Sequence, residues 1–240
     1  MRLYLFQLGS LQPPGIPVPG YLIQTGDGRN VLVDTGFPHA FIANPPDRPG
    51  PQNTRIQVLE EDYVVNRLAQ IGLTVNAIEI LVSTHFDPDH AGNHALFGNA
   101  EIVVQRAHYE AAKAGHERLQ RTRDQWDATG LRYRFVDGDT QLLPGIELIE
   151  TSGHVIGHQS LLVRLPHTGP VLLAIDAIMN SQMTDADTRT LTPADEDEAQ
   201  TRASTRKLAE LVAREGVTLS IYGHDPKQWP TLKHSPEFYD

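Results

Sequence analysis

The chain has no cysteine in its 240 residues. Disulfides, thiolate zinc sites, iron–sulfur clusters and cysteine nucleophiles are all excluded, so any metal must be held by His, Asp or Glu. The absence fits any redox compartment. Long apolar runs are missing too. Nothing approaches the roughly 20 consecutive residues of a membrane helix, and the stretch after Met1 is interrupted at Gln7 and Gly9, too early for a signal-peptide core. Positive charge is scarce: 20 Lys and Arg stand against 30 Asp and Glu, a formal net charge of −10. Nucleic acids and anionic membranes need basic patches, so both are disfavoured as partners. The expectation is a cytoplasmic protein that binds neither.

What remains is ordinary globular material, 40% hydrophobic and 21% charged, able to bury a core. Short apolar runs bounded by Gly, Pro and Asp predict strands at residues 2–7, 21–25, 30–34, 78–83, 102–105, 131–136, 146–150, 160–164, 171–175 and 219–222. Gly26-Asp27-Gly28 reads as a hairpin turn between the second and third. Helices are predicted over 58–71, over 107–123 as a polar and exposed element, and over 193–215, with Thr192 as N-cap and Pro193 at the first position. Two proline-rich stretches, 11–19 and 37–56, read as loops, the second long enough to be a functional loop or lid. Composition is unchanged on either side of both, so the chain is read as one domain, 1–240, with two sheets covered by helices.

The richest stretch is His85-Phe-Asp-Pro-Asp-His-Ala-Gly-Asn-His94, directly after the apolar run that ends at Thr84. It places His85, Asp87, Asp89 and His90 at the end of a buried strand, where packing does not explain them. Imidazole and carboxylate ligands suit zinc, iron or manganese. Polar groups follow apolar runs three more times: His154 and His158 after residues 146–149, Asp176 after 171–175, and His224 after 219–222. Strand ends gathered on one edge of a sheet commonly form a site. Taken singly, a loop histidine is usually solvated or hydrogen-bonded, and an Asp after a strand is usually a turn residue. His39, His108, His116, His167 and His234 keep that reading, and His94 and His158 read as supporting side chains. The set His85, Asp89, His90, His154, Asp176 and His224 is too concerted for it.

The segment resembles the signature of the metallo-β-lactamase-fold hydrolases, His-x-His-x-Asp-His followed by a distant His, a bridging Asp and a final His. Asp34-Thr-Gly36 resembles that family's early Asp-Thr-Gly turn, and Gly153-His154 with Gly157-His158 its Gly-His-x-x-Gly-His element. Within the superfamily the chain is most similar to the N-acyl homoserine lactonases. The similar pieces are Val18-Pro-Gly-Tyr-Leu-Ile23, Val103-Val-Gln-Arg-Ala-His-Tyr-Glu110, Gly138-Asp139 with Pro144-Gly145, Gly157-His-Gln-Ser160 and Gly223-His-Asp225. The resemblance implies a four-layer αβ/βα sandwich, two mixed sheets flanked by helices, with a two-metal site at one edge. His85 and His154 would hold the first ion, and Asp89, His90 and His224 the second. Asp176 would bridge them. The ions would be zinc, with iron, manganese or cobalt as alternatives. The implied reaction is opening of a lactone ring by a metal-bound hydroxide, with Asp89 or a metal-bound water protonating the leaving oxygen. The implied partners are a small lactone and a second copy of the chain.

Two positions depart from that pattern. Asp87 stands where the family has its second His, and its side chain is shorter by roughly 2 Å. It is taken as a ligand that needs a shift of chain or metal, with action through water, or a place beside a single-metal site, as alternatives. A carboxylate there tilts preference towards iron or manganese. Flavodiiron proteins resemble this in having a Glu at that position, but they carry a fused flavodoxin domain. At Met179 the lactonases have a Tyr that orients substrate, and Tyr222 is the nearest replacement in sequence. Ile16, Val18, Phe37, Phe41 and Ile42 read equally as an acyl pocket or as packed side chains. The alternatives to a lactonase are a hydrolase of another ester, thioester or lactam, a non-haem iron oxidoreductase, and a non-catalytic metal-binding module.

Overall fold

Residues 31–33, 80–82, 161–163 and 171–175 are apolar at every position because both faces of each sheet are covered there. The computed structural model describes residues 1–47 and 53–240. In chain order the strands are β1 (Arg2–Gln12), β2 (Ile16–Gln24), β3 (Asn30–Val33), β4 (Arg55–Gln57), β5 (Ile80–Val82), β6 (Glu101–Gln105), β7 (Arg132–Val136), β8 (Thr140–Leu143), β9 (Ile146–Glu150), β10 (Gln159–Leu165), β11 (Gly169–Ile175) and β12 (Leu219–Tyr222). The helices are α1 (Val64–Gln70), α2 (Pro88–Ala91), α3 (Arg106–Lys113), α4 (Arg123–Trp126) and α5 (Glu198–Glu215). Two sheets form, in the orders β4-β1-β2-β3-β5-β6-β7 and β12-β11-β10-β9-β8. Both are mixed: β3, β5, β6 and β7 run parallel, as do β11 and β12, and the other pairs are antiparallel.

Alternation along each strand assigns its two faces. Leu3, Leu5, Val31, Val33, Ile80 and Val82 of the larger sheet meet Leu148, Leu161, Val163, Val171 and Leu173 of the smaller one in a shared core. The intervening Tyr4, Phe6, Leu22, Leu32 and Leu81 face outward onto Val64 and Leu68 of α1. On the other side Leu162, Leu172 and Ala174 pack on Leu208 and Leu211 of α5. The layers are therefore helix, sheet, sheet, helix, as the resemblance implied. Among the described residues, no helix is long and apolar enough to cross a membrane.

Several expected elements come out differently. The 11–19 stretch is a hairpin, not a loop: β1 and β2 pair through it, with Ser10 opposite Pro17 and Gln7 opposite Pro19. Proline lacks an N–H and needs a free flank. It has one here, because β3 pairs only with residues 21–24 of β2. In the 37–56 stretch, Pro49 and Pro51 lie outside the described residues; Phe37 packs in the outer cluster beside Val18, with Phe41 and Ile42 against it, and Ile16 starts β2. Val18 and Phe37 are buried packing, whereas Ile16, Phe41 and Ile42 stay half-buried.

The helix expected over 58–71 narrows to α1, because the Asp62 carboxylate accepts from the Leu59 N–H (3.1 Å) and pairs with Arg67, holding a 3-10 turn ahead of it. The one expected over 107–123 breaks after α3, where Gly115 takes a left-handed φ of 92°. A 3-10 turn, Glu117–Thr122, then buries Leu119 and Thr122, so this segment is not an exposed face. The one expected over 193–215 starts at Glu198, capped by Asp197, whose carboxylate accepts from Gln200 N at 2.9 Å. Thr192 instead forms a turn with Asp195.

Leu161 is wholly buried between the sheets. Leu161→Ala should cost about 2–5 kcal/mol, read as a lower denaturant midpoint with an unchanged slope.

Candidate metal centre

The site forms where strands from both sheets end together. Asp34 follows β3, His85 follows β5, Asp176 follows β11 and His224 follows β12. His154 comes from the connection between β9 and β10, and Asp87, Asp89 and His90 from the start of α2. All seven residues expected from the sequence converge. Three overlapping groups place their ligand atoms within 4.8 Å of one another: His85, Asp87 and His154; Asp89, His90 and His224; and His85, His90 and Asp176.

The separations are those of a coordination sphere. Two ligands about 2.1 Å from a tetrahedral ion lie about 3.4 Å apart. In the first group, Asp87 Oδ2 is 3.5 Å from His85 Nε2 and 3.6 Å from His154 Nε2. In the second, Asp89 Oδ2 is 3.7 Å from both His90 Nε2 and His224 Nε2. Asp176 stands between the two groups. Its Oδ2 lies 3.3 Å from His154 and 3.9 Å from His85, and its Oδ1 lies 3.5 Å from His90 and 3.1 Å from His224. Its Oδ2 is also 3.3 Å from His224 Nε2. His85 Nε2, His90 Nε2 and Asp176 Oδ1 are buried without a hydrogen-bond partner. Such orphaned polar atoms are costly unless a cation satisfies them. The residues thus fit divalent ions, and Asp87 reaches ligand distance despite its shorter side chain.

Every histidine of the set has its other nitrogen occupied, which points Nε2 inward. Thr84 Oγ1 donates to Asp34 (2.8 Å) and accepts from His85 Nδ1 (3.0 Å). His90 Nδ1 donates to Asp34 Oδ2 at 2.9 Å. His224 Nδ1 donates to the Pro17 carbonyl at 2.8 Å. His154 Nδ1 faces Asp195 Oδ1 at 3.4 Å. His158, expected as a supporting residue, donates from Nδ1 to Thr151 and accepts the Asp176 N–H at Nε2 (3.2 Å). His108 accepts the Phe86 N–H at 2.9 Å, and Phe86 stacks on Trp126, which fixes the chain between His85 and Asp87. His94 is buried against Phe86 and outside the groups.

Backbone strain accompanies this convergence. Ile175, just before Asp176, has φ 50°, and Asp34 has φ 60°; a β-branched residue there is an outlier that only surrounding structure can hold. Gly223 is needed for close approach, since a Cβ on it would lie 2.5 Å from the Ile175 carbonyl oxygen.

The electrostatics are those of a cation site. Burial alone would lower the His90 and His154 pKa values, but nearby carboxylates outweigh it. Asp176, Asp89 and Asp34 push His90 to about 10, and Asp176 with Asp195 and Asp87 pushes His154 to about 9. Burial, reinforced by the charge on His90, drives His85 well below its ordinary value. Burial would raise Asp176, yet the charges of His224, His90 and His154 hold it well below the usual carboxylate range.

Sequence reasoning missed Arg118, which pairs with Asp87 and contacts His154. It also missed Asp195 and the Pro17 carbonyl. Tyr222 does not replace the Tyr missing at Met179, because it packs with the α5-side cluster. Met179 contributes its carbonyl, which accepts the His224 N–H at 2.7 Å.

With this fold and this centre, the chain belongs to the metallo-beta-lactamase superfamily, whose pattern it matches over residues 14–224. Within it, the chain is a member of the N-acyl homoserine lactonases. It is 36% identical to the N-acyl homoserine lactonase of a Bacillus species, over 93% of this chain and 87% of that one. It is 32% identical to the N-acyl homoserine lactonase AttM of Rhizobium johnstonii, over 100% and 98%. Among solved structures, it superposes on an N-acyl homoserine lactone hydrolase holding the product N-hexanoyl-L-homoserine at its catalytic metal centre. The TM-score is 0.86 at 29% identity, covering 99% of this chain and 98% of that one.

Two measurements test the centre. Asp34→Asn should weaken zinc binding about 10- to 100-fold by loosening His90 and Thr84, read by equilibrium dialysis. The raised values of His90 and His154 mean that the metal-free folded state holds their protons more tightly than the unfolded chain does. That stabilisation is complete below the ordinary value of 6.5 and is lost as pH rises through about 9 and 10. The urea midpoint of chelator-stripped protein should therefore fall between pH 7 and 10.

Proposed function

We propose that the chain is a metal-dependent lactonase that opens the ring of N-acyl homoserine lactones or closely similar lactones. The observation that carries this reading is the Asp176 carboxylate, within 3.3 Å of His154 in one triad and 3.1 Å of His224 in the other, in a chain of the lactonase family. His85, Asp87 and His154 are assigned to a first ion, Asp89, His90 and His224 to a second, and Asp176 to the bridge between them. Two divalent ions, zinc first among them, are the expected complement, with iron, manganese or cobalt as substitutes. Bound ions would supply a Lewis acid for the carbonyl and an activated water near neutral pH.

The chain's own residues do the rest. Thr84, Asp34, Asp195 and the Pro17 carbonyl fix the imidazole rings, so that no reorganisation is needed during the reaction. Asp89 is the most accessible carboxylate of the centre, its side chain 21% exposed against 13% for Asp87 and 5% for Asp176. That exposure lets it take the proton released as water attacks the carbonyl and return it to the ring oxygen as the C–O bond breaks. The products are a carboxylate and an alcohol, so each turnover releases acid. The same reading treats residues 1–240 as one cytoplasmic catalytic domain and a homodimer as its assembly.

Titration at constant pH with acyl homoserine lactones of several chain lengths tests this. Acid release should be lost on chelation and restored by zinc, and His224→Ala should lower kcat/KM by at least about 100-fold. No release above the blank with zinc, iron, manganese or cobalt would rule the lactonase reading out.

A further inference from the structure

Arg118 is turned into the centre by the 3-10 turn that follows Gly115, and its side chain is only 13% exposed. Its Nε donates to both oxygens of Asp87, at 2.7 and 3.1 Å, and its Nη2 also donates to Asp87 Oδ2. The same Nη2 lies 2.6 Å from His154 Nε2. Nη1 donates to the carbonyls of His154 (3.0 Å) and Ala194 (2.5 Å), and Glu196 lies 3.5 Å away. The guanidinium therefore engages the carboxylate oxygens, and lies against the imidazole nitrogen, that the first ion would use. The second group is different. Among the described residues, neither Asp89 nor Asp176 is paired with a lysine or arginine.

Contact geometry points the same way. The Arg118 guanidinium lies at hydrogen-bond distance from both oxygens of Asp87 and from His154 Nε2, so an ion held by those same atoms would bring two positive charges into contact in a buried site, which is costly. A histidine at position 87 could not chelate a guanidinium; an aspartate can, through a two-point fork. The Asp at this position and the inward arginine form a matched pair.

We propose that Arg118 is a resident cation at the first position, so that an ion completes the His85–Asp87–His154 set only by displacing it. The second position loads without competition, and the chain takes up its ions in two unequal steps. This rests on the assignment of the centre as a metal site, and it is independent of which substrate is turned over.

Titration of chelator-stripped protein with Co²⁺, followed by visible absorption and by metal analysis after dialysis, reads the two steps directly. Wild type should bind its first ion at least about 100-fold more tightly than its second, the scale set by separating a buried ion pair. Arg118→Gln should narrow the gap to about tenfold or less by tightening the second step. The double variant Asp87→His with Arg118→Gln, which leaves no carboxylate unpaired, should do the same and serves if the single variant does not fold. Uptake of two ions by wild type in one step, or an unchanged gap in a folded variant, overturns the proposal while leaving the metal centre standing. Failure to bind any ion overturns both.

Discussion

The buried carboxylate of Asp34 is the contact on which the rest depends. It accepts from the backbone and hydroxyl of Thr84 and from the His90 ring. In doing so it ties the end of β3 to the end of β5 and orients two histidines at once, His90 directly and His85 through Thr84. Burial raises its pKa, and the His90 charge and these hydrogen bonds oppose that. An unpaired carboxylate so placed would be strongly destabilising, so the fold at this edge and the geometry of the centre stand or fall together. The left-handed backbone at Asp34 is one cost of that convergence, and Ile175, on the opposite sheet, is another.

How much of this was legible in the sequence differs by residue type. The central strands were readable because their residues are apolar on both faces, and the six-residue ligand set because four strand ends each finish on a metal-capable side chain. Asp87 was visible, but the reach of its carboxylate depends on how Phe86 is clamped by His108 and Trp126, which no local pattern reveals. The hairpin through Pro17 and Pro19 was hidden because proline argues against a strand unless one flank is free, and that flank is a property of the sheet. Arg118 was the hardest to see. It sits in a polar run among other arginines, and only the break at Gly115 turns it inward.

The frame and the side chains set on it act at different levels. The two-sheet frame is shared with the solved lactonase structure. Asp87 and Arg118 set the charge on one side of the centre without disturbing that frame. The side towards Asp89 and His224 keeps a simpler environment and opens more to solvent. An asymmetric centre on a conventional scaffold is what these side chains build.

The bond from His224 to the Pro17 carbonyl spans 207 positions of the chain. Beside it, Leu3 and Tyr239 exchange backbone hydrogen bonds at 2.8 and 2.9 Å. The centre is therefore a closure of the polypeptide on itself. During synthesis, the ligands from α2 and the β9–β10 connection emerge well before β12 can bring in the last imidazole. The set of ligands is complete only once β12 has paired beside β11 and its imidazole has met the β1–β2 hairpin.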